Sequence, residues 1–192
     1  AEMIKTGSTF ACDMYHFPES IVSALNEAGL RGIICGPQTQ WPPQGDDDGS
    51  VRRELDAQLA SNKAGDKVQY GVATHAIYTC DEDTLLAGKE LAEKHDAHLS
   101  IHVSETRKEV ADCFDKSGMY PIEYLDSLDY FIPERTICAH GSWVKKSEMR
   151  TMAARKAILA HCPSSNMKLA CGGTASLPAY KEAGEEVRLG TD

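Results

Sequence analysis

The apolar positions of the chain fall into short, nearly continuous runs separated by longer amphipathic stretches. Short apolar runs are typical of strands covered on both faces, as in a parallel sheet. The runs that predict strands are Ser8–Met14, Arg31–Cys35, Val68–His75, Ala97–Val103, Thr136–His140, Ala157–His161 and Val187–Asp192. The stretches that predict helices are Pro18–Ala28, Val51–Lys63, Glu82–His95, Arg107–Lys116, Pro121–Leu128, Ser147–Ala154 and Leu177–Ala183. This alternation predicts an α/β protein with a parallel sheet and crossover helices.

Capping and turn residues agree with these boundaries. Gly29 follows the first helix at a typical C-cap position, and Asp81 precedes the third as an N-cap. The segment Pro37–Gly49 is rich in Pro, Gly and Asp, which predicts a long loop. Trp41 in this loop either stacks on a planar ligand or anchors the loop as an ordinary aromatic side chain.

Two architectures fit this alternation: an open doubly wound sheet and a closed (β/α)8 TIM barrel. No Gly-x-Gly-x-x-Gly follows the first strand, which disfavours the dinucleotide-binding form of the open sheet. Polar side chains recur where the strands end, at Asp13, His75, His102, His140, His161 and Asp192. A barrel gathers such ends around one mouth, where its active site lies. We therefore predict an incomplete TIM barrel.

The pattern supplies seven of the eight strands that a closed barrel needs. We expect the missing strand to precede Ala1 and a further helix to follow Asp192, which would make the chain a fragment of a longer polypeptide. With no evident linker, residues 1–192 are interpreted as one partial barrel domain.

Composition narrows the range of partners. The formal net charge is −9 and no Lys/Arg run is present, which argues against nucleic acid or an anionic membrane as a partner. No signal peptide or membrane-length apolar stretch is evident. The 7 cysteines include no Cys-x-x-Cys pair, so we expect reduced, mostly buried thiols in a cytoplasmic protein. The expected ligand is a small molecule, and homo-oligomerisation is left open.

The strand ends supply candidate chemistry. His102 ends an apolar strand and could bind a metal, while Glu105 lies just beyond it and could move protons. His140, flanked by Ala139 and Gly141, ends the next strand, and Asp192 could ligate a metal or accept a proton from water. Taken singly, each has an ordinary structural interpretation as a packed histidine, a helix N-terminal acid or a turn residue. Their recurrence at one predicted mouth favours a site.

The remaining histidines are less informative. His161 begins a turn-rich run, so we expect it to shape the mouth or contact a substrate rather than bind a metal. His95 and His98 flank a strand start on the opposite face and are expected to be solvent or packing residues. His16 is a candidate lining residue only.

These motifs together resemble the amidohydrolase superfamily, in its chlorohydrolase and deaminase branch. Within that branch the chain is most similar to the methylthioadenosine/S-adenosylhomocysteine deaminases, including the 5'-deoxyadenosine type. The runs that carry the resemblance are His75–Cys80, His102–Thr106, Ala139–Gly141, His161–Ala170 and Leu189–Asp192. They follow the family's order across nearly the whole chain.

The resemblance implies one divalent metal, usually Zn²⁺ and sometimes Fe²⁺, bound by a His-x-His pair and by the residues matching His102 and Asp192. It implies that Glu105 shuttles protons and that His140 hydrogen-bonds the reacting water or intermediate. It also implies substrate contacts from His75 and from Arg52 or Arg53.

Two departures from the family pattern stand out. The 7 histidines contain no His-x-His, which agrees with the expected missing strand, and on this reading the fragment alone is inactive. Ile77 stands where the family usually has proline, in a loop that borders the substrate. The family's small β-sandwich has no counterpart in these residues.

The predicted reaction is hydrolytic deamination of an adenosine-like nucleoside by a metal-activated water. The His-x-Glu and Pro-Cys-x-x-Cys motifs of cytidine deaminases are absent. A two-metal site is disfavoured because the strand Val68–His75 does not end in the lysine that such family members carry. Two alternatives stay open: a related hydrolase of guanine, cytosine or triazine rings, and a non-catalytic binding module.

Overall fold

A computed structural model of the chain describes residues 1–40 and 48–192. Its strands are β1 (Phe10–Asp13), β2 (Arg31–Gln38), β3 (Val68–Ala76), β4 (Leu99–Val103), β5 (Thr136–His140), β6 (Ile158–His161) and β7 (Glu186–Leu189). All neighbouring strands pair in parallel, in the order β1-β2-β3-β4-β5-β6-β7. A doubly wound sheet reverses its strand order at a switch point, whereas a barrel does not. The prediction of an incomplete (β/α)8 barrel is therefore confirmed.

Helices alternate with the strands along the chain, as expected of the crossover connections in a parallel sheet. They are α1 (Glu2–Lys5), α2 (Pro18–Ala28), α3 (Ser50–Ala60), α4 (Glu82–Lys94), α5 (Arg107–Ser117), α6 (Pro121–Ser127), α7 (Lys146–Ala154), α8 (Pro163–Lys168) and α9 (Leu177–Ala183). No helix among the described residues combines the length and the hydropathy that crossing a membrane requires.

Two helices were not predicted. The short helix α1 buries none of its residues, so no apolar periodicity marks it. The helix α8 lies in a run that its Ser, Asn and Pro content made look like a turn. Pro163 occupies the first turn of α8. Backbone N–H groups in the first turn have no partner within the helix, so the missing N–H of proline costs nothing there, and its fixed φ favours a helix.

Strand boundaries also differ from the sequence pattern. β2 continues to Gln38, so Pro37 and Gln38 are strand residues rather than the start of a loop. β7 ends at Leu189, so Asp192 lies three residues beyond the strand instead of terminating it. Trp41 and its proposed stacking lie outside the described residues.

The predicted caps are present. Asp81 accepts a hydrogen bond from the Thr84 backbone N–H at 2.9 Å and begins α4. Gly29 ends α2 with a φ of 71°, in the left-handed region that glycine enters without a steric penalty.

Side chains of the sheet alternate between two apolar layers. On β4, Leu99, Ile101 and Val103 belong to the large cluster beneath the helices. Ser100 pairs with Ala73 and Ile137, which belong to a smaller cluster on the opposite, concave face. His102 shares the parity of Ser100, so this alternation directs it to the barrel interior.

Candidate active site

Side chains from successive strand ends converge at the mouth of the barrel. The His75 and His102 ring centroids lie 5.0 Å apart, and the His102 and His140 rings stack at 5.4 Å. His102, His140 and Asp192 each offer one ligand atom, and these atoms lie within 4.8 Å of one another. Parallel strands end at the same rim, which explains why residues distant in sequence meet there.

Asp192 faces both histidines with one oxygen and is held through the other. Its Oδ1 lies 3.8 Å from His102 Nε2 and 3.7 Å from His140 Nε2. Its Oδ2 accepts a short hydrogen bond from the hydroxyl of Ser165 on α8. The carboxylate is therefore oriented with one oxygen turned into the cluster.

His102 is oriented through the backbone of the neighbouring strand. Its Nδ1 lies 2.8 Å from the carbonyl oxygen of His75, at an irregularity in the β3–β4 register between Ala73 and Ala76. A carbonyl can only accept, so Nδ1 carries the proton and Nε2 presents a lone pair towards Asp192. Burial lowers the pKa of His102, which favours this neutral form.

His140 has the opposite tautomer. The side-chain amide of Asn166 donates to His140 Nδ1 at 3.1 Å, while its oxygen accepts from the Ser142 hydroxyl at 3.2 Å. Since Nδ1 accepts, Nε2 carries the proton and points at the carboxylates as a donor. Strict alternation would place His140 on the helix side with Cys138, but its φ of 72° breaks the pattern at the strand end.

Glu105 completes the cluster. Its Oε2 lies 3.9 Å from His140 Nε2, and its Oε1 accepts from the Cys171 thiol at 3.4 Å. A carboxyl group this close to a buried imidazole is placed to transfer protons.

His75 borders the cluster on the β3 side. Its Nδ1 lies 2.8 Å from the Thr79 hydroxyl, and its ring meets Tyr78 edge-on at 5.9 Å. Burial, followed by the nearby His102, lowers the pKa of His75 and favours the neutral ring. Its predicted contact with a substrate stays a prediction.

Arg52 and Arg53 lie in the first turn of α3, the helix that follows β2. Both side chains are exposed, and Arg53 Nη1 donates to the Asp48 carbonyl at 3.0 Å. The substrate contact expected from Arg52 or Arg53 likewise stays a prediction.

Other sequence candidates have separate environments. The Asp13 carboxylate accepts from the Tyr15 backbone N–H at 3.0 Å and shapes a turn. His16 is exposed between Tyr15 and Phe17. His95, at the end of α4, lies 2.8 Å from the Asp56 carboxylate of α3 and packs between the two helices.

His161 is buried at the end of β6, and its Nδ1 has no hydrogen-bond partner among the described residues. It is not one of the described residues that cluster around Asp192. This position is compatible with the expected role in shaping the mouth.

Sequence reasoning missed the residues that orient the cluster, which are Ser165, Asn166, Cys171 and Glu109. A signal existed for Glu109, because Thr106-x-x-Glu109 is the pattern of a capping box. The sequence carries no signal for Ser165, Asn166 and Cys171, because their roles depend on how α8 and the following turn pack against the strand ends.

The donor set suits a divalent ion. An imidazole lone pair and a carboxylate oxygen, 3.8 Å apart in His102 and Asp192, match two ligands that each lie about 2 Å from one metal. The backbone at Ser104, His140 and Asp192 has positive φ values of 52°, 72° and 71°. Such conformations concentrate at functional sites, where the surrounding structure maintains them.

The fold and the cluster together are those of an α/β barrel whose mouth carries a group of side chains that could hold a metal ion. The whole chain, residues 1–192, matches the model of the amidohydrolase family, and the chain belongs to that family.

Proteins with similar sequences include nucleoside deaminases. The chain is 41% identical over 197 residues to a 5'-deoxyadenosine deaminase of Methanosphaera stadtmanae, and covers 45% of that protein. It is 36% identical over 195 residues to a 5-methylthioadenosine/S-adenosylhomocysteine deaminase of Thermodesulfovibrio yellowstonii, and covers 43% of it. In both cases all of this chain is matched, so it spans a little under half the length of these relatives.

Solved structures agree. A zinc-bound adenosine deaminase from Xanthomonas campestris superposes with a TM-score of 0.86 at 28% identity, covering 100% of this chain and 43% of the other. A guanine deaminase from C. acetobutylicum with bound guanine gives a TM-score of 0.84 at 19% identity, covering 99% of this chain and 48% of the other. The second likeness shows the shared fold alone.

Proposed function

We propose that the protein containing this chain is a metal-dependent aminohydrolase of adenosine-like nucleosides, of the 5'-deoxyadenosine, methylthioadenosine or S-adenosylhomocysteine type. One observation carries the proposal: a lone-pair nitrogen of His102, a carboxylate oxygen of Asp192 and a proton-bearing nitrogen of His140 face one point beside Glu105. The names of the relatives support the substrate class.

His102 Nε2 and Asp192 Oδ1 would hold the metal, which we propose to be Zn²⁺ with Fe²⁺ as the alternative. When bound, the ion would supply a water that is a competent nucleophile near neutral pH. Both residues fit this role because their other polar atoms are already engaged, by the His75 carbonyl and by Ser165.

The proton transfers fall to the carboxyl groups. Asp192 accepts a proton from the attacking water, and protonated Glu105 donates to the ring nitrogen next to the amino-bearing carbon. The His140 Nε2–H donates to the oxygen that adds to that carbon and stabilises its charge. Asp192 then passes its proton to the amino group, which leaves as ammonia. Glu105 takes back the proton of the added hydroxyl group, and a ring carbonyl remains.

The surroundings of this chemistry are part of the proposal. Residues 1–192 would form most of one barrel domain in a cytoplasmic protein with a small-molecule substrate. His75 would contact the substrate, and Arg52 or Arg53 would do so from the rim. We propose no role for nucleic acid or membranes and leave homo-oligomerisation open.

The test uses the full-length protein with the Glu105→Gln substitution. We expect unchanged metal content by elemental analysis and a loss of ammonia release from 5'-deoxyadenosine of about 10²–10⁴-fold, because the amide cannot exchange the proton. Glu134→Gln is the control, since Glu134 pairs with Lys156 on the surface. Full turnover by Glu105→Gln would contradict the assigned role.

A substrate panel separates the alternatives. Release of ammonia or chloride from guanine, cytosine or a chlorotriazine, but not from adenosine-like nucleosides, would favour the related hydrolase. A full-length protein that binds no metal and releases no ammonia would favour a binding module.

A further inference from the structure

The loop that carries Glu105 is held by a buried carboxylate from the following helix. Ser104 has a φ of 52°, and the backbone N–H groups of Ser104 and Glu105 both point at Glu109. They donate to its two oxygens at 2.6 Å and 2.8 Å. Two consecutive amides that converge on one carboxylate define the direction in which the Glu105 side chain leaves the backbone.

This arrangement extends an ordinary helix cap. The Thr106 hydroxyl accepts from the Glu109 N–H at 3.1 Å, as in a capping box, but the Glu109 carboxylate reaches back beyond Thr106. On the other side of the loop, the Trp143 backbone N–H donates to the Ser104 carbonyl at 2.9 Å. Both polar groups of the peptide bond between Ser104 and Glu105 are therefore hydrogen-bonded, the N–H to Glu109 and the carbonyl to Trp143.

Burying the Glu109 carboxylate without a cationic partner costs free energy of folding. Its side chain is only 4% exposed, and no cation pairs with it among the described residues. Burial raises the pKa of Glu109 to about 7, although the backbone donors favour the charged form. A capping role alone is met equally well by an exposed glutamate, so the burial indicates a further role.

We propose that Glu109 is a positioning residue for Glu105. It sets the backbone of the loop so that the Glu105 carboxylate lies beside His140 and Cys171. The inference rests on the proposed function, in which Glu105 transfers protons. Displacement of a reacting group by about 1 Å can cost about 10²-fold in rate, so a loop error of this kind is visible in turnover.

Glu148 provides a matched control. It is a fully buried glutamate near the start of α7, and it accepts from the Ile122 and Lys145 backbone N–H groups at 3.0 Å and 2.9 Å. Burial also raises its pKa. Its two donors belong to the starts of α6 and α7, not to the loop of Glu105.

The experiment compares Glu109→Gln and Glu148→Gln in the full-length protein. A glutamine accepts one of the two N–H groups but presents its own NH₂ to the other, so both variants should lose thermal stability similarly. We expect Glu109→Gln alone to lower kcat for 5'-deoxyadenosine at least 10-fold, with KM and metal content unchanged. Hydrogen exchange at Ser104 and Glu105 should accelerate at least 10-fold in Glu109→Gln only.

Equal kcat losses in the two variants, or loss of metal in Glu109→Gln, would overturn the proposal. So would unchanged exchange at Ser104 and Glu105, which is measurable even if the wild-type protein deaminates none of the nucleosides and the proposed function fails. If Glu109→Gln does not fold, Glu109→Asp replaces it, because the shorter side chain keeps the charge but cannot span both donors. Wild-type kcat in a folded Glu109→Asp variant would likewise refute the positioning role.

Discussion

Each residue of the cluster is oriented by a neighbour that performs no chemistry. His102 is fixed by a carbonyl of β3, His140 by Asn166, and Asp192 by Ser165. The positive φ at His140 costs about 1–3 kcal/mol, so the surrounding hydrogen bonds must stabilise it. The chemistry of the site therefore depends on the side chains around it as much as on the cluster itself.

Ser165→Ala tests this dependence at Asp192. Removing the hydroxyl frees the carboxylate to rotate, and outer partners of metal ligands typically contribute about 10–100-fold in affinity. We expect weaker metal retention by that factor in a chelator competition with the full-length protein. Ser164→Ala is the control, since Ser164 is exposed one residue earlier; equal affinities in the two variants would contradict the prediction.

The ends of the elements are packed closely where the cluster is built. Tyr180 of α9 is fully buried and donates from its hydroxyl to the Gly141 carbonyl at 2.8 Å, next to His140. Gly141 has a φ of 56°, and a methyl group there would lie 2.5 Å from Leu159 and 2.6 Å from the Tyr180 hydroxyl. The strand end β5 is thus locked to β6 and α9.

Gly141→Ala should destabilise the protein much more than Gly29→Ala. Gly29 also has a positive φ, of 71°, but nothing lies within 4 Å of an added methyl. The backbone penalty of about 1–2 kcal/mol is common to both variants, and overpacking adds about 1–3 kcal/mol at Gly141 only. The free energy of unfolding in urea measures the difference; equal losses would show that the contacts around Gly141 relax without cost.

Buried carboxyl groups make the stability of the whole molecule depend on pH. Burial raises the pKa of Glu109 to about 7 and that of Glu185 to about 8, from 4.5. Neither oxygen of Glu185 has a hydrogen-bond partner among the described residues. A folded state with the higher pKa binds more protons between pH 4.5 and 8, so this contribution to stability decreases as pH rises through that window.

Glu185→Gln should therefore stabilise the full-length protein relative to wild type as pH rises. We expect little difference near pH 4.5 and a gain of about 2 kcal/mol near pH 8. The pKa shift from 4.5 to about 8 corresponds to about 5 kcal/mol at about 1.4 kcal/mol per unit, and solvent screening reduces this gain. Unfolding curves across this range measure it, with the exposed Glu182→Gln as control. Parallel pH profiles for wild type and Glu185→Gln would refute the assignment.

The order and type of most elements could be predicted from the sequence, because strands buried on both faces are continuous apolar runs. The apolar runs located the seven strands that the structure describes outside residues 41–47. Asp81 and Gly29 marked helix ends through hydrogen bonding and backbone geometry within one turn. The helices α1 and α8 were not predicted. α1 buries none of its residues, and α8 begins in a run of turn-forming residues.

The candidate residues were likewise nameable from local pattern, as polar groups where apolar strands end. Their geometry was not. Hydrogen bonds set the tautomers of His102 and His140, orient Asp192 through Ser165 and hold the Glu105 loop through Glu109. They join residues that are 5 to 27 positions apart in the sequence. Hydrogen bonds of this kind depend on strand register and on left-handed backbone turns, which only the packed barrel sets. The sequence alone determined which polar residues stand at or just beyond the strand ends.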